Sequence, residues 1–381
     1  MMNFMAIYKT LSSCFVFCLI CATTACSMDT EPETGSDLIK GEMPPSLMLE
    51  PGNLKLETGM VRDLLFISEK NQLVISEEGR KDSNLLKIDL ESAKPIGRIL
   101  PVGSPPNQLF SFTNLSVSDD ELSVYDTDQF RFARIKLGDG GEFNIDSVAA
   151  IDLVEYFVED AFFFNDLVYG IPLVAYSDSL HPRFVRASLS KKIISPIGSI
   201  TRECYEGNEV VETPKQILGM AASAMPMVRP GGDFFALAYR DRDLFEIYDS
   251  EGEAIVWSEG PDYFCPHFKM RETKYGTQPL NVTDVSRRAY LDIATSSKYL
   301  YLLYSGKVKS PSDATGEYSA FAAKIIFKVD WNTGKLLATY EAPFLISKME
   351  VNANGNTFYV VPFEGDSRVE SLVIPDGQLK L

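Results

Sequence analysis

The sequence is poor in the residues that carry most metal and redox chemistry. It has six cysteines and two histidines in 381 residues, and after residue 26 it contains no C-x-x-C pair. That spacing excludes a zinc ribbon and a thioredoxin-type site, because both need closely paired thiols. His181 and His267 are far apart in the chain, and each has a proline beside it. A hydrogen-bonded or surface histidine is favoured over a metal ligand, so we expect neither a metal nor a cofactor.

Positive charge is also scarce. The chain has 36 Lys and Arg against 53 Asp and Glu, which gives a formal net charge of −17. Binding to nucleic acid or to anionic lipid needs clustered basic residues, so we expect no nucleic-acid partner. An acidic surface of this kind also keeps a secreted protein soluble. Amphipathic stretches of helical period are short, the one candidate being residues 211–224, which favours a sheet protein.

The N-terminus resembles a bacterial lipoprotein signal. Lys9 precedes a short apolar run at residues 15–20, which is too short to span a bilayer as a permanent helix. Small residues follow, and Thr-Thr-Ala-Cys resembles a lipobox in which Cys26 is lipidated, although Thr23 stands where Leu is usual. We therefore predict a signal peptide at residues 1–25 and a lipid anchor at Cys26. An ordinary secretory signal or an uncleaved anchor is the alternative.

The position of that cysteine also predicts a location. Ser27 follows it, as in lipoproteins that are sorted to the outer membrane, so we expect the cell envelope, with the chain periplasmic or surface-exposed. The membrane would be contacted through the lipid only. Residues 26–45 are polar and rich in Pro, Gly and acids, which predicts a flexible tether. Of the cysteines after Cys26, Cys204 and Cys265 either pair in the oxidising envelope or stay two separate buried thiols.

A strand–turn–strand unit recurs through the rest of the chain. It is clearest at residues 115–126, LSVSDDELSVYD, where two alternating strands flank an acidic turn. Related hairpins lie at residues 64–77, 154–176, 227–252, 289–306 and 348–365. Each is followed by further strand-like sequence, so each unit contains enough residues for about four antiparallel strands.

Six such units predict an all-β fold, a six-bladed β-propeller of four-stranded antiparallel blades, as a single domain at residues 46–381. An extra strand within residues 46–62 is expected to complete the last blade and close the ring. A different number of blades, a two-sheet sandwich and a β-helix are the alternatives.

Three segments, together with the lipobox, resemble a known family. Residues 97–126, 287–307 and 326–361 look like the TolB-like six-bladed β-propeller lipoproteins of anaerobic Gram-negative bacteria. The resemblance covers most of residues 60–375 and implies the propeller fold. It implies no activity, because that family has none established.

Residues 259–288 depart most clearly from the repeat. They lack strand alternation and combine aromatic with basic residues, which suits a sugar face, a peptide or a carboxylate. The ligand-binding candidates are Tyr263, Phe264, His267, Lys269, Arg271, Tyr275, Arg287 and Arg288. A long connection packed down by its own aromatics is the competing interpretation. No G-x-S-x-G motif marks a nucleophile, so no catalytic residue is assigned.

Two functions follow from these patterns. The first is a lipid-anchored outer-membrane propeller that acts as a binding or scaffold protein for an envelope protein, a peptide or a glycan. The alternative is an envelope hydrolase or lyase that acts on a carbohydrate or a peptide at the propeller face.

Overall fold

The computed structural model describes residues 35–37, 43–78, 85–99, 112–118, 121–137, 143–154, 158–172, 182–190, 194–198, 222–273, 276–281, 285–309, 319–365 and 367–375. Residues 36–381 form one compact unit. The described residues contain strands and two 3-10 turns, Ser68–Lys70 and Phe363–Gly365, and no α-helix. Within these ranges, no helix is long and apolar enough to cross a membrane.

Four antiparallel sheets follow three N-terminal strands. The N-terminal strands are β1 (Gly35–Asp37), β2 (Ser46–Met48) and β3 (Glu50–Glu57). The first two sheets contain β4 (Met60–Ile67), β5 (Gln72–Glu78), β6 (Leu85–Asp89) and β7 (Lys94–Ile99), then β8 (Phe112–Ser118), β9 (Glu121–Asp126), β10 (Arg131–Leu137) and β11 (Phe143–Asp152). The next two contain β12 (Val158–Phe164), β13 (Leu167–Pro172), β14 (Phe184–Ala187) and β15 (Ile194–Ile197), then β16 (Ala224–Val228), β17 (Phe235–Tyr239), β18 (Leu244–Tyr248) and β19 (Ala254–Glu259), with β1 beside β19.

The last part of the chain forms a hairpin and two joined blades. The hairpin is β20 (Phe268–Thr273) and β21 (Gly276–Asn281), and the remaining strands are β22 (Arg287–Thr295), β23 (Tyr299–Val308), β24 (Ala323–Asp330), β25 (Leu336–Val351), β26 (Thr357–Pro362) and β27 (Arg368–Val373). The long strand β25 belongs to both blades. Its first half pairs with β24, and its second half, from Ile346, pairs with β26.

The last blade is completed from the N-terminus. Strand β3 pairs antiparallel with β27, so that Leu56 lies opposite Val369. The Leu54 N–H donates a hydrogen bond of 3.0 Å to Ser371 Oγ. The extra strand expected within residues 46–62 therefore completes the last blade as predicted.

The first strands of the six groups form a closed ring. Each contacts the next in the order β4, β8, β12, β16, β22, second half of β25 and back to β4. We call these the inner strands. The all-β propeller predicted from the repeat is thereby confirmed.

Apolar side chains fill the space between neighbouring blades. Strand alternation sends successive side chains to opposite faces, so each blade buries one set against each neighbour. Between the third and fourth blades the core is aromatic, and Phe235 stacks on Tyr248 with ring centroids 4.9 Å apart. Comparable clusters lie at the other five blade contacts. These side chains explain the period-2 pattern of the sequence.

The turns between first and second strands lie where the repeat predicted them. Asn71, for example, adopts φ 49°, and Gly355 adopts φ 71° in its turn. The predicted turn at residues 119–120 lies outside the described residues, as do residues 211–221 of the helix candidate at 211–224 and most of the predicted tether. Residues 259–288 differ from expectation, because β20 and β21 form a hairpin there.

Candidate functional site

The predicted binding segment lies at one end of the ring. Strands within a blade alternate in direction. The start of each inner strand and the turn between the second and third strands therefore lie at the same end of the ring. Residues 260–267, which follow β19, and residues 285–286, which precede β22, are therefore at this end, as is the 240–243 turn after β17. We call it the entry end.

Arg287, one of the predicted ligand residues, is held by its neighbours. Its Nε donates 2.6 Å to the Gly306 carbonyl, and its Nη2 binds the Asp262 carboxylate. The guanidinium lies 4.6 Å from the centre of the Phe264 ring, a cation–π distance. Arg287 and Phe264 thus pack against each other.

Arg288 joins a second cluster. Its Nη1 donates 2.7 Å to Asp241, whose other oxygen lies 2.5 Å from Lys309 Nζ. The Arg288 guanidinium is 5.5 Å from the centre of the Phe321 ring. Because both arginines are ion-paired within the chain, a ligand would have to compete with Asp262 and Asp241 for them.

The other candidates are placed less closely together. Tyr263 has φ 42° and is 63% exposed, so its ring faces solvent. His267 is half-buried, and its carbonyl accepts a hydrogen bond of 3.2 Å from Ser286 Oγ. Lys269 and Arg271 lie on β20. Tyr275 and Cys204 lie outside the described residues, whereas Cys265 forms a disulfide. The pairing of Cys204 with Cys265 stays a prediction.

Asp243 organises the start of this segment. Its Oδ2 accepts hydrogen bonds from the backbone N–H groups of Asp262 (2.8 Å) and Tyr263 (3.0 Å) and from Tyr304 Oη (3.1 Å). Burial raises the pKa of Asp243 to about 6, against the effect of these donors. A buried carboxylate therefore fixes the start of the predicted binding segment to the blades.

The inner strands enclose a cavity of about 70 Å³ on the ring axis. Each inner strand contributes the residue at one equivalent position to the lining of this cavity. We call this position the channel position. In blade order it is Asp63, Asn114, Asp160, Met225, Asp292 and Lys348. A β-bulge directly precedes it in β4, β12, β22 and β25, which turns this side chain away from the regular alternation.

Two aspartates at the channel position bind the following blade. Asp63 Oδ2 accepts a hydrogen bond of 3.0 Å from the Leu115 N–H on β8. Asp292 Oδ2 accepts one of 2.7 Å from the Met349 N–H on β25. In each case the donor is the residue just after the channel position of the next blade. Asn114 also bonds to the residue just after the channel position of the next blade, but here the side chain is the donor. Its Nδ2 donates a hydrogen bond of 3.2 Å to the Ala161 carbonyl.

Asp160 breaks this pattern. The residue after the channel position of the next blade is Pro226, which has no N–H to donate. The Ala161 N–H, 2.9 Å from Oδ1, is the one hydrogen-bond donor to Asp160 within the described residues. Burial raises the pKa of Asp160 to about 7, partly offset by Arg240. Asp160 is thus the channel carboxylate whose ionised form has the least support.

Burial also raises the pKa of two neighbouring acids. For Asp63, the charge of Lys348 lowers the pKa and that of Asp292 raises it. Glu350, on β25, is raised well above its usual range by burial. The cavity therefore concentrates carboxyl groups in a space with little water, which favours a bound cation or a bound proton.

Sequence reasoning missed the cavity residues. Leu64 and Leu115 begin the predicted hairpins at residues 64–77 and 115–126, and a polar residue stands just before each leucine. Asp63, Asp160 and Asp292 each precede a buried apolar residue at the start of a unit. This recurrence is the signal that the sequence contained.

Solved structures share this architecture. A member of the DUF4221 family from Bacteroides vulgatus matches 86% of this chain and 98% of its own, with 10% identity and a TM-score of 0.56. The β-propeller domain of Cps50 (Swd1) from Myceliophteria thermophila matches 86% and 100%, with 12% identity and a TM-score of 0.47. No family model matches the sequence, and no curated protein matches it. At 10% identity the likeness to the DUF4221 member shows the fold alone.

Strand topology and the channel position together define the class of protein. The chain is a β-propeller with a small, charged cavity at its axis and a segment packed by aromatics and ion pairs at the entry end.

Proposed function

We propose that this chain is a lipid-anchored binding propeller of the outer membrane that presents its entry end to a basic envelope protein or peptide. The observation that carries this proposal is the distribution of exposed apolar side chains. Ten large apolar side chains are exposed in the described residues, and six of them lie at the entry end. These six are Met60, Val154, Tyr263, Val285, Val308 and Phe321. Apolar side chains collected on one face and rimmed by polar residues mark protein interaction sites.

The size of the cavity favours binding over catalysis. Pockets that enclose small ligands have volumes of about 300–1,000 Å³, whereas this cavity has about 70 Å³. A sugar ring or a peptide segment does not fit inside it. A partner would therefore bind across the surface, and the net charge of −17 favours a basic one.

Site-specific photocrosslinking in cells of the native host tests the proposal. A photoreactive phenylalanine analogue at Tyr263 or Phe321 should give one discrete protein adduct. The same analogue at Leu337, which is 46% exposed in β25, is the matched control and should give none. Absence of adducts at the entry end, or equal adducts at Leu337, would contradict the proposal. A glycan partner would leave all three positions without a protein adduct.

The anchor is tested in the same cells. Cys26→Ala should move the chain from the membrane fraction to the soluble fraction and abolish labelling by a fatty-acid analogue. A variant that stays in the membrane and keeps the label would overturn the lipid anchor and leave the binding face untouched.

A further inference from the structure

The cavity contains a carboxylate that lacks the donor its equivalents have. Asp63 and Asp292 each accept a backbone N–H from the following blade, whereas Asp160 faces Pro226. The next channel position is Met225, which offers no polar group either. The contact between the third and fourth blades therefore leaves one carboxylate oxygen of Asp160 without a protein donor in the described part of the chain. Asp160 as a whole residue is 95% buried.

A second polar atom without a partner belongs to a residue that lines the same space. Thr113 lines the cavity, and its Oγ1 is buried and has no hydrogen-bond partner among the described residues. A hydroxyl can accept as well as donate, so a donor group in the cavity would satisfy both Thr113 and Asp160. Buried polar atoms without partners are uncommon in folded proteins and need an explanation.

The basic side chains that line the cavity form ion pairs with acids other than Asp63 and Asp160. Arg62 lies 2.6 Å from Glu78, and Lys348 lies 3.3 Å from Asp292. Arg240 lies 3.6 Å from Glu159. Within the described residues, no Lys or Arg comes within ion-pair distance of Asp63 or Asp160.

We propose that the cavity accepts one alkylammonium or guanidinium group, whose N–H groups bond to the carboxylates of Asp160 and Asp63 and to Thr113 Oγ1. A volume of about 70 Å³ is enough for such a head group and too small for a larger ligand. Charge-assisted hydrogen bonds to a carboxylate are the strongest that a neutral-pH site can offer.

The source of the group is either a Lys or Arg side chain of a bound protein or a free amine. The first case rests on the proposed function, because it makes the cavity the pocket for one side chain of the partner. The groups that face Asp160 are Glu159 on its own strand, Arg240 after β17, Asp63 on β4 and Tyr125 on β9. A cation that bonds to Asp160 and Asp63 would thus also meet the acids Glu159 and Asp292 and the bases Arg240 and Lys348.

Methionine methyl NMR on the full chain tests this directly, because Met225, Met227 and Met349 line the cavity. The probes are n-butylammonium, an acetyl-Ala-Lys-Ala-amide peptide and the same peptide with norleucine in place of lysine. At pH 8 we expect the two amines to shift these three methyl signals and the norleucine peptide to leave them unchanged. Met43 and Met48, both exposed elsewhere, should not move. A stronger response to the peptide than to butylammonium would assign the site to a protein side chain, and the reverse to a free amine.

Two variants and a control test whether Asp160 binds the amine. Asp160→Asn should weaken amine binding at least about tenfold, the equivalent of one lost charged hydrogen bond. Pro226→Ala should also weaken it, because the new backbone N–H can donate to Asp160. Asp128→Asn removes an equal charge from an exposed loop at the entry end and should leave affinity unchanged.

Amine binding that is equal in Asp160→Asn and the wild type would overturn the proposal, as would methyl signals that respond to neither amine. If Tyr263 still crosslinks to a partner in that case, the binding face stands and only the cation site fails. Methyl shifts without any crosslink would support the cation site and contradict the proposed face.

Discussion

At the scale of single residues, the six channel positions are a natural comparison series. They occupy equivalent places in one ring, yet the donors that reach them differ. Asp63 and Asp292 receive an N–H from the next blade, and Asp160 does not because a proline stands there. The loss of one backbone donor leaves burial as the dominant influence on Asp160 and raises its pKa to about 7.

The raised pKa predicts how Asp160 affects stability. Below the ordinary aspartate pKa of 3.8 the group is protonated in both the folded and unfolded chains. As pH rises from 3.8 towards 7, Asp160 ionises in the unfolded chain first, so the folded state progressively loses stability. Asp160→Asn does not titrate. We therefore expect its free energy of unfolding to rise relative to wild type by on the order of 1–4 kcal/mol between pH 4 and about pH 8.

Urea unfolding at both pH values measures this difference. Glu78→Gln is the control of opposite sign, because the hydrogen bond from Arg62 lowers the pKa of Glu78. That carboxylate stabilises the fold above pH 4.5, and its contribution is lost as pH falls through the lower folded pKa. Glu78→Gln should therefore be less stable than wild type at neutral pH and approach it in acid. A pH-independent difference for Asp160→Asn would contradict the assignment.

At the scale of elements, the segment between β19 and β22 shows how a connection is fixed to the blades. Asp243 follows β17 and binds two backbone N–H groups just after β19. The Gly260 N–H in turn donates 2.9 Å to the Asp243 carbonyl. The chain therefore passes so close to this carboxylate that a side chain at residue 260 has no room.

Gly260→Ala should be strongly destabilising for this reason. Its Cβ would lie 1.8 Å from Asp243 Oδ1, so Asp243 must move and weaken the bonds to Asp262 and Tyr263. We expect a loss of about 1–3 kcal/mol in the free energy of unfolding, the usual cost of overpacking. Gly97→Ala in β7 is the matched control, since nothing lies within 4 Å of its new Cβ. Equal unfolding midpoints for the two variants in urea would show that Asp243 does not fix the segment.

Elements differ in how well the sequence predicts them. The hairpins of the repeat have strict alternation and Gly or Asn in their turns, so local pattern and final structure agree. The β20–β21 hairpin was not predicted, because its second strand, GTQPLN, has little strand propensity. It contains Pro279, which lies opposite Met270 and is disfavoured inside a strand. Pairing with β20, not local preference, gives it strand structure.

At the scale of the whole molecule, the architecture was predictable and the cavity was not. Six repeated units and an extra N-terminal strand are local and countable, and they suffice for a propeller. The cavity depends on which polar residues converge once the ring is closed. Asp63 and Asp160 lie 97 positions apart, and no local pattern says that both reach one space of about 70 Å³. The role of Pro226 is visible only beside the other five blades.

Ring closure brings distant parts of the chain together, and one of the contacts that result is tight. Gly52 lies so close to Ser371 that a Cβ at residue 52 would be 2.3 Å from Ser371 Oγ. The same hydroxyl accepts the hydrogen bond of 3.0 Å from the Leu54 N–H across a sequence separation of 317 residues. The contact between β3 and β27 thus depends on Gly52, which leaves room for the Ser371 hydroxyl.

A double-mutant cycle at this contact tests whether β3 closes the ring as described. Ser371→Ala removes the acceptor of the Leu54 N–H and should cost about 1–3 kcal/mol, and Gly52→Ala should cost a similar amount through its clash. In the double variant the clash with Oγ is gone, so the combined loss should fall short of the sum by at least about 0.5 kcal/mol. Urea unfolding of the four proteins gives the coupling. Strict additivity would mean that Gly52 and Ser371 do not meet in the folded chain, and the strand that completes the last blade would then have to be another.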